Sequence, residues 1–268
     1  MLTMILELVV ALLLLGRATN TAAFAPVLSV VARPIRSFAL RQDEEAYSRS
    51  LSRSVQDEEI ESADAIICGG GPAGLLTAIM LAQKDYGNIK VYDRLSAPPN
   101  PDDQLLWSNV DKFYLIGLGS RGQAALKKFG LWDQVEARSV KVRGRRDWNP
   151  SSPPEGEVSL RDEKLVQTVI LPRDKLVGVL HQYILQNYAD QVELNYGFEV
   201  EPVDFSYGKQ QQALVQVSPC GKDYESGDVF CIVEGCTHVA APLLVAADGT
   251  VRTIANAMQA LDEKRSLL

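Results

Sequence analysis

The residues best suited to chemistry in this 268-residue chain form a glycine-rich run, Gly69-Gly-Gly-Pro-Ala-Gly74, followed 19 residues later by a carboxylate, Asp93. Glycine at 69 permits a tight turn out of a preceding strand. Glycine at 71 lets backbone approach a pyrophosphate, and glycine at 74 lets a helix pack closely on a strand. A helix starting there turns free N–H groups and a positive dipole end toward phosphate. An acid at the end of the next strand can accept hydrogen bonds from a ribose. The pattern points to dinucleotide binding, and it serves NAD and FAD alike.

Protein-borne catalysis has less to draw on. The two histidines, His181 and His238, lie in no recognisable motif, so a Ser-His-Asp triad or a two-His zinc site has no obvious place here. No catalytic side chain is assigned, and a bound cofactor is expected to carry any chemistry. Cys220, Cys231, Cys236 and His238 lack the paired short knuckles of a zinc site and fall in strand-like segments, so they read as buried or edge thiols and no metal is expected. A net charge of −7 and a pI near 5.0 argue against a phosphate-binding surface for nucleic acid.

The elements around the glycine run follow from pattern. Asp64–Cys68 is a short apolar strand, Leu75–Ala82 a buried helix, and Asn88–Tyr92 a second strand, which together make a βαβ unit. Ser120 and Gln123 have the spacing of a capping box, opening a helix with Ala124, Leu126 and Phe129 that stops at Gly130. Another helix begins near Pro172, at its first position, with Leu176, Leu180 and Ile184 on one face. Arg173 then sits in its first turn, where a cation opposes the helix dipole and an anionic partner is the economical explanation. Val142-Arg-Gly-Arg-Arg146 reads as a solvated strand end, with an anion site as the alternative. Val192–Tyr196, Ala213–Val217, Phe230–Val233 and Leu243–Ala246 read as strands, the last closed by Ala247-Asp248-Gly249, which in isolation is a turn. The expected fold is α/β: a Rossmann-like FAD/NAD(P)-binding domain with a βαβ GxGxxG unit and an inserted β-sheet.

The first 62 residues read as address and spacer. Residues 1–23 carry the apolar run Leu8–Leu15, of signal-peptide length and too short to span a bilayer, although no Lys or Arg precedes it. Residues 24–41 have transit-peptide composition, and Ala23-Phe24-Ala25-Pro26 resembles the bipartite presequences of plastid proteins. Plastid delivery is the expectation, with secretion or an N-terminal membrane anchor as alternatives. An acidic linker follows to residue 62, and a FAD-binding domain is expected over 63–268.

Four stretches in order carry a family resemblance: Gly69–Gly74 with Tyr92-Asp93-Arg94; Leu118-Gly-Ser-Arg-Gly-Gln-Ala-Ala-Leu-Lys127 running into Gly130-Leu-Trp-Asp-Gln-Val135; Leu171-Pro-Arg-Asp-Lys-Leu176; and Ala246-Ala-Asp-Gly249. Together they resemble the FAD-dependent aromatic hydroxylases. The resemblance implies NADPH- and O2-dependent hydroxylation of a small aromatic substrate. It also implies that Gly69, Gly71, Ala73 and Gly74 cradle the FAD pyrophosphate, that Asp93 holds the ribose and that Arg94 is among the cofactor-binding residues. Gly117 would lie against the flavin, Arg173 would contact FAD, and Asp248-Gly249 would face the FAD and NADPH pyrophosphates. Arg145 falls on an arginine that pairs with a substrate carboxylate, a task suited to a planar guanidinium. The chain departs from the family after Asp248-Gly249, where Thr250-Val-Arg replaces the usual Ser and Arg, and before Leu115, where Arg-rich wording is missing. The second flavin motif of such enzymes does not appear before Leu268, and the roughly 205 residues beyond the spacer are fewer than the ~250 expected of the complete unit, so the sequence reads as C-terminally incomplete. A flavin-binding remnant without turnover, or a related plastid flavin monooxygenase with another substrate, are the alternative readings.

Overall fold

Four parallel strands and the loops at their ends place the glycine run. The computed structural model describes residues 60–108, 114–160, 166–210, 212–222, 229–231, 235–250 and 252–266. The expected signal peptide, transit-like segment and nearly all of the acidic linker lie outside the described residues. The first half holds β1 (Ile60–Ser62), β2 (Ala65–Cys68), α1 (Pro72–Ala82), β3 (Ile89–Asp93), a 3-10 turn (Gln104–Trp107), β4 (Leu115–Leu118), α2 (Ser120–Lys128), α3 (Trp132–Glu136), β5 (Val140–Lys141), β6 (Gly144–Asp147) and β7 (Glu157–Leu160). It is followed by β8 (Val169–Pro172), α4 (Arg173–Asn187), β9 (Val192–Tyr196), β10 (Phe198–Tyr207), β11 (Gln212–Lys222), β12 (Val229–Cys231), β13 (Thr237–Ala241), β14 (Leu244–Ala246) and α5 (Thr253–Ser266). None of the described helices is long and apolar enough to cross a membrane.

The parallel sheet runs β14-β2-β3-β9. Every residue of β2 is buried, as expected of a strand covered on both faces. Alternation along β2 divides the core. Ala65 and Ile67 pack with Leu75, Ala78 and Ile79 of α1 and Leu176, Val179 and Leu180 of α4, whereas Ile66 and Cys68 pack with Val200, Val215, Val217, Val239 and Ile254. The second set comes from α5 and from the five-stranded sheet β1-β13-β11-β10, with β12 added on β11. The α/β fold with an inserted sheet therefore holds, and two smaller pieces accompany it: the sheet β4-β8-β5 and the hairpin β6-β7.

Several local expectations are corrected. Gly119, not Ser120, is the cap of α2, and no side-chain cap bond forms. Gln123 is buried instead, and its amide donates to the carbonyls of Leu118 at 3.0 Å and Gln167 at 2.7 Å. A buried amide needs such partners more than an exposed helix end does, since water serves the end equally well. Pro172 caps α4 rather than entering it. Ile60–Ser62, read as linker, is a strand in parallel register with His238–Ala240. The long strand β10 was not anticipated, because Pro202 and Asp204 interrupt its pattern; the structure absorbs them as register shifts against β11.

The tightest constraint in this frame is at Gly74, where a Cβ would overlap the carbonyl oxygen of Gly69 and approach Ile67 Cγ2 to 3.3 Å. Gly74→Ala is expected to lower unfolding stability by about 1–3 kcal/mol. Urea unfolding followed by far-UV circular dichroism measures it, and an unchanged midpoint would contradict this close packing.

Candidate functional site

Parallel register brings four strand ends to one line. Ala246 lies beside Cys68, Cys68 beside Tyr92, and Asp93 beside Tyr196. The loops that leave them are Ala247-Asp248-Gly249, Gly69–Gly71, Asp93–Leu95 and the turn at Gly197. Carboxyl ends of strands in an open α/β sheet are where ligands bind, because the loops diverge there and leave a crevice.

The three template glycines have three distinct jobs. Gly69 has φ +112°, a conformation open to glycine, and a Cβ there would overlap the carbonyl of Ala247. Gly74 seats α1 against that same turn. Gly71 faces the cleft, and the closest atom to an added Cβ would be Arg173 Nη2 at 3.4 Å. Pro72 has no N–H, so the first turn of α1 offers the N–H groups of Ala73 and Gly74, which have no intrahelical acceptor.

Asp93 is fixed by backbone. Its Oδ2 accepts from Gly70 N–H at 2.7 Å and its Oδ1 from Leu95 N–H at 2.8 Å. Each oxygen keeps further acceptor capacity, as an ionised carboxylate has about four lone-pair sites. Arg173, half-buried at the start of α4, donates its backbone N–H to Tyr114 O at 2.8 Å and pairs with Asp174 through Nη1 at 3.1 Å. Asp248 accepts from Ile254 N–H at 3.3 Å in the first turn of α5. Burial, together with the Asp248 carboxylate, pushes the Cys68 thiol up to about 12. Burial and Asp93 likewise push the Tyr196 phenol up, and its hydroxyl is buried with no hydrogen-bond partner.

Gly69, Gly71, Asp93, Arg94, Arg173, Asp248 and Gly249 all line one cleft of about 250 Å³. A second cleft of about 1320 Å³ shares Asp93, Arg94, Leu95 and Arg173 with it and extends past Gly70, Tyr196 and Cys220. Gly74 lies behind the first cleft, while Ala73 is exposed at the start of α1. Gly117 is exposed on β4 and lines neither cleft. Arg145 is exposed on the hairpin, ion-paired with Asp147 at 2.8 Å, and lines neither cleft. Sequence reasoning missed Gly70, where a Cβ would meet Asp93 and Tyr196 at 3.2 Å, and it missed Tyr196, Phe198 and Thr253. The triple glycine was the available signal for the first; the others depend on which strand lies beside β3.

The outer wall of the larger cleft is a proline-rich strap including Ala97–Pro99 and Leu105–Leu106. Buried Lys175 holds it by donating to Pro101 O at 2.6 Å. Arg138 grips Asp102 with two bonds of 2.7 and 3.0 Å, and its guanidinium holds that carboxyl below the ordinary range. Gly178 leaves room for the strap, since a Cβ would come within 2.7 Å of Pro99 O. Of the cysteine and histidine set, Cys220 and Cys231 are strand partners, and Cys236 Sγ lies 3.2 Å from Ser218 Oγ. Among the described residues no group of three or more His, Cys, Asp or Glu is gathered as a metal site.

An open parallel sheet with this glycine turn, backed by an inserted antiparallel sheet, defines a Rossmann-like α/β fold. No protein-family model matches the chain. In sequence it is 35% identical over 95 residues to kynurenine 3-monooxygenase of Stenotrophomonas maltophilia (strain K279a), a stretch covering 35% of this chain and 19% of that protein. In three dimensions it is similar to p-nitrophenol 4-monooxygenase PnpA from Pseudomonas putida DLL-E4, with TM-score 0.51, 20% identity and coverage of 73% of this chain and 44% of that one. RebC soaked with chromopyrrolic acid gives TM-score 0.49 and 16% identity, with 75% and 34% of the two chains covered. The chain thus aligns with about a fifth of the curated relative and less than half of these solved structures. The partial sequence match is to a monooxygenase, in keeping with the family resemblance read from the sequence, while the solved p-nitrophenol 4-monooxygenase structure shares the fold.

Two measurements test these placements. Lys175→Met leaves Pro101 O without its donor and is expected to cost about 1–3 kcal/mol in urea unfolding. Cys68, buried and with its thiol pushed up to about 12, is almost wholly protonated at pH 8. Iodoacetamide is therefore expected to spare Cys68 in the folded chain and to label it once urea is added, read by peptide mass; labelling at equal rates in both states would contradict its burial.

Proposed function

We propose that the cleft at the strand ends binds FAD and that the protein belongs functionally with the NADPH- and O2-dependent flavoprotein monooxygenases that hydroxylate small aromatic compounds. The observation that carries this reading is the convergence of Gly71 backbone, the N-terminus of α1, the Asp93 carboxylate and the Arg173 guanidinium on one cleft.

The residues present suit such a cofactor. Gly71 leaves the space a side chain would fill, and Arg173 with the α1 N–H groups supplies positive character for a pyrophosphate. Asp93 retains acceptor capacity for a ribose while its bonds to Gly70 and Leu95 hold it still. When bound, FAD would supply the redox and oxygen chemistry that these side chains do not. The chain's own part is to bind and orient: the glycine turn fixes the approach of backbone, Arg173 offsets phosphate charge, and the proline-rich strap closes one side of the larger cleft against water.

Within this reading, Arg145 is the proposed partner of an aromatic substrate's carboxylate. Its ion pair with Asp147 favours a second version, in which the enzyme class stands but the substrate is another aromatic without that carboxylate.

FAD titration of the full chain, followed by flavin fluorescence, tests the first proposal. Micromolar affinity is expected, with Arg173→Ala weakening it about tenfold through lost charge-assisted bonds. No uptake of FAD, or identical affinity in the variant, would sink it. Arg145→Ala is expected to leave FAD affinity unchanged and to raise the KM for a carboxylated aromatic in NADPH oxidation; an unaltered KM would favour the second version.

A further inference from the structure

We propose that Cys220 and Cys231 form a reversible cross-strand disulfide at the rim of the larger cleft, making the inserted sheet responsive to thiol–disulfide exchange. β11 and β12 are antiparallel, with Cys220 opposite Cys231, Gly221 opposite Phe230 and Lys222 opposite Val229. Two cysteines therefore occupy opposed register positions across a strand pair.

The type of pairing follows from a single hydrogen bond. Cys220 N–H donates to Gly197 O at 2.7 Å, on the β10 side, where Phe198 opposite Pro219 forms the next rung. The N–H and C=O of one strand residue point to the same neighbour, so Cys220 presents neither to β12. Its pair with Cys231 is then of the non-hydrogen-bonded kind, in which Cα atoms lie about 4.5 Å apart and side chains are closest. That spacing lies within the roughly 4.4–6.8 Å range of natural disulfides, so the bond can close without backbone rearrangement.

Access and chemistry agree with this. Cys220 and Gly221 line the larger cleft beside Gly70, Tyr196 and Gly197, so a small disulfide can reach the sulfur. In the exchange, one cysteine thiolate attacks a glutathione-class disulfide and releases one thiol. The second cysteine then displaces the other, leaving the Cys220–Cys231 bond and two reduced thiols of the oxidant, so that the two electrons and two protons of the protein dithiol pass to the oxidant. The new bond ties β12 to β11 and fixes that wall of the cleft. Cys236 is the competing thiol: its Sγ is 3.2 Å from Ser218 Oγ, and Ser218 shares a strand face with Cys220.

The test uses the full chain equilibrated across mixtures of reduced and oxidised glutathione, acid-quenched, alkylated and cut with trypsin without reduction. Cys220 falls in residues 210–222, and both Cys231 and Cys236 fall in residues 223–252. The two peptides are expected to appear joined, two hydrogens lighter than their separate masses, with the joined fraction rising about tenfold or more from reducing to oxidising mixtures and reversing with dithiothreitol. Cys231→Ser is expected to remove the link and Cys236→Ser to keep it. Separate, fully alkylated peptides throughout the series would overturn the proposal, as would a link that survives Cys231→Ser. Because mass reports the bond, the result stands apart from whether FAD binds.

Discussion

Backbone meeting backbone, with no side chain between, is the constraint on which the rest of the structure depends. A Cβ at Gly69 would occupy the carbonyl of Ala247, and one at Gly74 the carbonyl of Gly69. Strand β14, the turn after β2 and the first residues of α1 therefore stack in direct contact. Only this closeness lets the end of the late strand, with Asp248, stand beside the early glycine turn, and only then do residues almost 180 positions apart line a common cleft.

Electrostatics at that cleft are finely divided. Three carboxylates, Asp93, Glu199 and Asp248, and two guanidinium groups, Arg94 and Arg173, border it among the described residues. Asp93 spends one bond on each of two backbone N–H groups, so the acid that marks a ribose site in the sequence pattern is also the clasp that holds the Gly70 turn to the end of β3. Replacing it would disturb the shape of the turn as well as the ligand contact, which makes Arg173 the cleaner probe of cofactor binding. Burial, reinforced by the Asp248 carboxylate, has a further effect: Cys68 stays a neutral thiol and acts as packing, not as a nucleophile.

The larger cleft depends on a different device. A segment rich in proline has few backbone donors with which to join a sheet, and here it is held by side chains instead: Lys175 on Pro101, Arg138 on Asp102, and the absence of a side chain at Gly178. One of the four stretches of family resemblance runs through this arrangement, since Arg173, Asp174 and Lys175 belong to it. In that motif Arg173 looks into the cleft while Lys175 looks toward the strap, so one short run both contacts the candidate ligand site and builds its wall.

By itself the sequence determined the βαβ unit, the tight turn at Gly69, the close packing at Gly74, and the strand-end and helix-start places of Asp93 and Arg173, because each rests on local physics: turn sterics and apolar runs of strand or helix length. The closing strand at Leu244–Ala246 and the stop at Gly130 were legible for the same reason. Long-range pairing was not. The partner of Gln123, the clasp between Asp93 and Gly70, the strap on Lys175, the exposed setting of Arg145 and the Cys220–Cys231 register depend on which chain segments lie side by side. Only the tertiary structure decided these, since a side chain's partner is fixed by the packing of elements distant in sequence, and residue type and spacing carry no measure of that distance.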